Sequence, residues 1–284
     1  MDFLRFPYFH IRRFRLRRKS PYLKGLLRYF FFKYPIMNQV NYNGGALVSN
    51  MILMFILRLI IASMTWFIST LPFLVPYHTL LTSQSKKMGY TLSKGHMAIV
   101  CIFVYYLTGV LSITGIPSLM DIVQNRFGIV TSTGLNFPPD EINWMPFFWL
   151  TEGVRPYIEN MLLFVPFGFI LPLIWKKYEV LWKTALSGFV FSLIIELSQL
   201  FNSRITDLDD LLMNTLGALI GWGIFRLLKK HLAKLQDKVS VQSTQIKKIP
   251  LLLREEAWFY LASAFAGMFF VYYSFFWSLL RQVI

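Results

Sequence analysis

The chain has 284 residues, of which 55% are hydrophobic, 18% aromatic and only 15% charged, with a mean hydropathy of +0.50 and a formal net charge of +15. Soluble domains carry about 25% charged residues, so the composition excludes an ordinary globular domain and makes the bilayer the main solvent. The positive charge does not mark a nucleic-acid binder, and no nucleic-acid partner is expected: the basic residues cluster at the N-terminus and between apolar runs, as topology signals and headgroup contacts do.

In a bilayer the backbone must be helical or form a closed barrel. Long apolar runs, rather than ten-residue alternations, select helices. The expected fold is an all-α, polytopic transmembrane bundle of about six spans. Residues 1–45 form a basic, aromatic tail, with ten of the 29 Lys and Arg residues inside positions 1–33. The start lacks a clean apolar core followed by a small-residue cleavage site, so no cleavable signal peptide is expected. Spans are expected near 47–76, 97–116, 158–175, 181–201, 210–228 and 257–280. Three regions follow the tail: a transmembrane domain at 46–228, a basic linker at 229–256 and a final transmembrane helix at 257–284. The first span carries Arg58, Pro72 and Pro76, and Arg58 is expected to face protein or to snorkel. The single cysteine, Cys101, rules out an internal disulfide and a cysteine metal site.

Loop charge gives the orientation. Loops 77–96, 176–183 and 226–254 lie alternately along the chain and hold 14 Lys and Arg residues, against four in the opposite segments. The first set is expected to be cytoplasmic. The basic tail conflicts with that arrangement, and a start at Met37 would remove the conflict. Segment 117–157, on the outer side, carries TSTGLNFPPDEINWMPFFW, whose aromatic density suits the headgroup level.

On that outer side lies ELSQLFNSRITDLDDLLMN, Glu196–Asn214, which holds four of the chain's 14 acidic residues. Glu196 and Gln199 are three apart and share a helix face; Asp210 and Asn214 share another. Glu196 lies ~7.5 Å below the expected end of its span at ~1.5 Å per residue, a depth at which an unpaired carboxylate is costly. Glu196, Asp210 and Asp207 are the candidate catalytic acids and bases, or carboxylate ligands for a divalent cation such as magnesium or calcium. Asn160, Gln199, Arg204 and Asn214 are the candidate substrate-binding residues, Arg204 being suited to phosphate. The structural alternatives are helix capping by the aspartates, interhelical hydrogen bonding by Asn214 and an ion pair between Glu196 and Arg204. His10, His78, His96 and His231 lie elsewhere, which disfavours a zinc site and a Ser-His-Asp triad. Pro166, Gly168 and Pro172 read as a packing kink, and Gly217, Gly221 and Gly223 as a small-residue face.

NMLLFVPFGFILP, SLIIELSQL and SRITDLDDLLMNTLGALIG, with NWMPF upstream, resemble the VanZ-like family of bacterial multi-pass membrane proteins. The resemblance runs from about Asn143 to Gly223 and rests on N-x-x-x-F-x-P-x-G, E-x-x-Q, R-x-x-D-x-x-D and N-x-x-G in order. It implies a bacterial cell-membrane protein, a cell-envelope role and a link to antibiotic (teicoplanin) resistance. It also matches Asn160, Glu196, Gln199, Arg204, Asp207, Asp210 and Asn214 to the family's polar positions. The expected ligand is an outer-leaflet lipid headgroup or a lipid-linked envelope precursor. The rivals are a non-catalytic structural or binding role and, third, transport.

Overall fold

A computed structural model describes residues 44–123, 130–131, 134–135, 142–143, 154–201, 206–243 and 251–277. The described apolar runs are helical: α1 (Gly44–Lys87), α2 (Lys94–Thr114), the short α3 (Leu119–Val123), α4 (Arg155–Ile174), α5 (Leu181–Gln199), α6 (Leu208–Val239), the short α7 (Leu251–Arg254) and α8 (Glu256–Ala266), which continues as a π-helix over Gly267–Trp277. Among the described residues, three two-residue pairings join the loops: β1 (Tyr90–Thr91) with β6 (Gln242–Ser243), β2 (Val130–Thr131) with β3 (Gly134–Leu135), and β4 (Ile142–Asn143) with β5 (Thr206–Asp207). Among the described residues, five helical stretches are long and apolar enough to cross a membrane: Ile60–Lys87, Lys94–Val123, Arg155–Ile174, Leu181–Gln199 and Leu208–Val239. The all-α membrane bundle expected from hydropathy is therefore the observed fold. The basic tail and Arg204 lie outside the described residues, as does the side chain of Arg58.

The exterior is apolar and the interior partly polar, the reverse of a water-soluble domain. Leu53, Ile60, Met64, Leu162, Leu186 and Leu227 are exposed, which suits acyl chains as the surrounding solvent. Inside, Phe103, Phe164, Phe167 and Phe191 are fully buried, with ring centroids 5.3–6.1 Å apart along the cluster. They join α2, α4 and α5 into one core.

Helices α4 and α6 approach until their backbones touch. A Cβ added at Gly168 would meet the Ala218 carbonyl oxygen at 1.8 Å, one at Gly217 the Met161 carbonyl at 2.1 Å, and one at Gly221 the Val165 carbonyl at 2.0 Å. Without a hydrophobic driving force between helices in lipid, such close packing is a main source of association. Gly223 does not belong to this face: nothing lies within 4 Å of its Cβ position. The four-residue step from Gly217 to Gly221 keeps one face, whereas two further residues turn about 200° around the helix.

Two expected boundaries move. Helix α1 runs unbroken through Pro72 and Pro76 to Lys87. Helix α6 extends to Val239, well into the expected linker, because its polar residues find partners there. Lys229 pairs with the Glu179 carboxylate, and the Gln236 amide donates to the Pro172 carbonyl at 3.1 Å and to Glu179 Oε1 at 2.9 Å. Burial alone would raise the pKa of Glu179, but hydrogen bonds from Lys229 and Gln236 and the Lys229 and Lys176 charges outweigh it and hold that carboxyl below its ordinary value.

The three basic loops meet at one end of the bundle. The β1–β6 pairing, with Tyr90 opposite Ser243, joins loop 77–96 to loop 226–254. Lys177 reaches the Arg254 carbonyl and the Glu255 carboxylate, which brings in the loop at 176–183. The β4–β5 pairing belongs to the other end.

Candidate functional site

The tip between α5 and α6 is built by capping and by a strand. Asp207 adopts an extended conformation ahead of α6, and its Oδ1 accepts the Asp209 N–H at 2.9 Å, which supplies a partner for one of the open donors at the helix start. Its backbone N–H donates to Glu196 Oε2 at 3.3 Å, and the Tyr157 hydroxyl of α4 donates to its Oδ2 at 3.3 Å. In the parallel β4–β5 pairing Asn143 lies opposite Asp207. The segment that connects the second and third spans is thereby held against the tip.

Five of the seven residues expected at the site gather directly around this cap or one turn from it. Glu196 contacts the Asp207 backbone. The Asn160 amide of α4 is placed to hydrogen-bond the Asp210 carboxyl, and Asp207 and Asp209 lie close enough to act on Asp210 electrostatically. The same three aspartates act on Tyr157. Gln199 sits one turn beyond Glu196 on α5 and donates from its amide to the Thr114 carbonyl at 3.0 Å, tying α5 to the end of α2. Asn214 lies deeper, where its amide donates to the Ser192 hydroxyl at 2.9 Å. Arg204 falls outside the described residues. Glu196, Gln199 and Asn214 are 3%, 2% and 3% exposed, and Asp209 is fully buried.

Among the described residues, Gln199 Oε1 and Asn214 Oδ1 are buried acceptors with no hydrogen-bond partner. Such atoms are uncommon inside folded proteins, and each calls for a ligand, a water or a functional reason. The divalent-cation expectation finds no assembled ligand set: among the described residues, no group of three or more His, Cys, Asp or Glu side chains is arranged to hold a metal ion.

A second polar cluster lies at the basic end and was not expected from the sequence. His96, at the start of α2, and Glu256, at the start of α8, are both fully buried, with Nε2 and Oε1 2.7 Å apart. The Trp175 indole N–H donates to Glu256 Oε2 at 2.7 Å. His96 Nδ1 lies 2.6 Å from the Val239 carbonyl at the end of α6, which can only accept, so Nδ1 carries a proton. The imidazole thus joins α2, α6 and α8. Both residues fall one position before the spans assigned from hydropathy, so each resembled a loop residue. The signal available in the sequence was an acid directly preceding the apolar run AWFYLASAFAG.

Comparison with known proteins covers the middle of the chain. Residues 103–229 match the family model described as VanZ/LLP1. Protein VanZ from Enterococcus faecium is 29% identical over 156 residues, which make up 54% of this chain and 86% of that protein. No solved structure matches. The matched region contains every candidate site residue from Asn160 to Asn214 and excludes both His96 and Glu256.

Proposed function

The chain is a VanZ-like, multi-pass membrane protein, and from that premise we propose that the polar cluster between α4, α5 and α6 holds the headgroup of an outer-leaflet lipid or of a lipid-linked cell-envelope precursor. The observation that carries the reading is the pair of buried, partnerless amide oxygens, Gln199 Oε1 and Asn214 Oδ1, on the helices that carry Glu196 and Asp210. A purely structural polar cluster would be expected to satisfy its buried atoms internally. Glu196 and Asp210 supply acid-base chemistry, Asn160 orients Asp210, and Gln199 and Asn214 bind. Arg204 takes the phosphate. Tolerance of glycopeptides such as teicoplanin would be a consequence of altering an envelope lipid or precursor, in the bacterial cell membrane.

The test compares a deletion strain complemented with the wild type, Glu196→Gln or Asp210→Asn, following membrane lipids and lipid-linked precursors by mass spectrometry and protein abundance by immunoblot. The expected result is a changed lipid profile in both variants at wild-type abundance. An unchanged profile on deletion would sink the proposal. Sidedness is tested in a Cys101→Ser background: a cysteine replacing the partly exposed Glu159 should label from outside the cell, and one replacing the exposed Asp237 only after permeabilisation. The opposite pattern would place the cluster in the inner leaflet.

The second reading, a non-catalytic structural role, is favoured by one contact. The hydrogen bond from the Asp207 N–H to Glu196 ties the tip to α5, and loss of it would lower protein abundance instead of altering lipids.

A further inference from the structure

We infer that the exposed basic row near the end of α6, Arg226, Lys230 and Lys234, binds the headgroup of an anionic phospholipid in the leaflet at the basic end of the bundle. This site is separate from the polar cluster around Glu196 and Asp210 and does not rest on the function proposed for it. Among the described residues at the basic end, Glu179 pairs with Lys229, Asp237 with Lys176, Glu255 with Lys177 and Arg254, and Glu256 with His96. Each of these acids is therefore committed to a base. Arg226, Lys230 and Lys234 are exposed and have no acidic partner among the described residues. Their counter-charge comes from outside the protein.

Helix geometry gathers these cations beside two tryptophans. Trp222, Arg226, Lys230 and Lys234 follow one another at four-residue steps and form one ridge of α6. The three cations cover ~12 Å at ~1.5 Å per residue. Arg226 lies over the Trp222 ring at 5.9 Å, within cation–π reach. The Trp222 indole N–H donates to the Glu179 carbonyl at 3.0 Å, which holds the ridge beside the start of α5. There Lys183 lies over the exposed Trp182 ring at 5.6 Å. Tryptophan favours the headgroup level. Helix α6 spans 32 residues, so against a hydrocarbon core of about 30 Å about its last 12 residues stand outside the hydrocarbon. Lys230 and Lys234 are among them.

The surface beside the row selects the occupant. Ile220, Ile224 and Leu227 are exposed, and at 100° per residue they fall on the adjoining flank of α6. Acyl chains would run along that flank below a headgroup held by the row. A nucleic acid or an acidic peptide brings negative charge but nothing for the apolar flank. A zwitterionic lipid brings chains, but its own cation stands beside its phosphate and competes with the row. An anionic phospholipid supplies both the chains and an uncompensated phosphate, which Lys and Arg near a membrane surface attract.

The experiment measures binding of short-chain phosphatidylglycerol and phosphatidylcholine to the purified full-length chain in detergent by native mass spectrometry. Both lipids carry the phosphate and differ in net charge. The expected result is a preference of about tenfold or more for phosphatidylglycerol, equivalent to about 1.4 kcal/mol. It should disappear in the triple variant Arg226→Gln, Lys230→Gln, Lys234→Gln, and persist in the triple variant Lys86→Gln, Lys87→Gln, Lys94→Gln, which removes the same charge from other exposed positions at the same end. Glutamine is a good helix former, and all six positions are exposed, so both proteins should fold. Equal affinity of the wild type for the two lipids would overturn the inference without any variant. A preference that survives the α6 substitutions would also overturn it, and one that falls equally in both triple variants would show diffuse surface attraction in place of a site. None of these outcomes bears on the lipid profiles that test the Glu196 and Asp210 cluster.

Discussion

Replacing His96 by leucine tests how α8 is fastened to α2 and α6. His96 and Glu256 are both fully buried at 2.7 Å. Removing the imidazole strips one carboxylate oxygen of its partner and leaves the Val239 carbonyl without a donor. Breaking a buried pair from one side costs about 3–5 kcal/mol, so His96→Leu and Glu256→Met should each lose about that much. The double variant removes the buried charge problem altogether and leaves two orphans, the Val239 carbonyl and the Trp175 indole N–H. At about 1–3 kcal/mol per unsatisfied group, the two orphans should cost the double variant about 2–6 kcal/mol, less than the sum of the single losses, about 6–10 kcal/mol. Unfolding in mixed micelles of rising SDS fraction, followed by tryptophan fluorescence, gives the three values. Single losses below about 1 kcal/mol, or strictly additive losses, would refute the account of a mutually dependent pair.

The glycine contacts provide an internal control. Gly168→Ala and Gly221→Ala should each destabilise by more than about 2 kcal/mol, because the new methyl collides with a backbone carbonyl, whereas Gly223→Ala should be neutral or stabilising by about 0.5–1 kcal/mol; equal effects at all three would disprove the close α4–α6 approach. Acid should weaken the basic end. The Glu179 carboxyl is held below its ordinary value, against the effect of burial, by Lys229 and Gln236, so its stabilisation is complete above the unfolded value and is lost as pH falls through the lower folded value. A Glu179→Gln protein should show a shallower fall of melting temperature below about pH 4.5 than wild type; parallel curves would show that the Lys229 contact contributes nothing.

Hydropathy and loop charge made the bundle legible because both act along contiguous sequence. The basic loops at 77–96, 176–183 and 226–254 were grouped by charge alone, and β1–β6 and Lys177 bring them to one end. Helical spacing likewise aligned Glu196 with Gln199 and pointed to the tip. The pair His96–Glu256 was not legible, since its members are 160 positions apart and each directly precedes an apolar run, where charge is ordinary. Two-residue strands such as β4 and β5 are too short to leave a period-two pattern. The inward-facing partners Tyr157 and Ser192 were missed because nothing in local sequence distinguishes a hydroxyl that bonds a site residue from one that bonds its own helix, as Ser198 does with Ile195, and Thr114 because it meets Gln199 through a backbone carbonyl.

Helix α6 has 32 residues, or ~48 Å at ~1.5 Å per residue, against a hydrocarbon core of about 30 Å. It starts at the Asp207 cap beside the proposed headgroup site and ends at Val239, whose carbonyl meets His96. A single rod therefore fixes the separation of two polar clusters at opposite ends of the bundle. A bilayer that thins or thickens cannot change that separation without tilting the rod, so membrane thickness would set how far the headgroup site stands from the lipid it is proposed to hold.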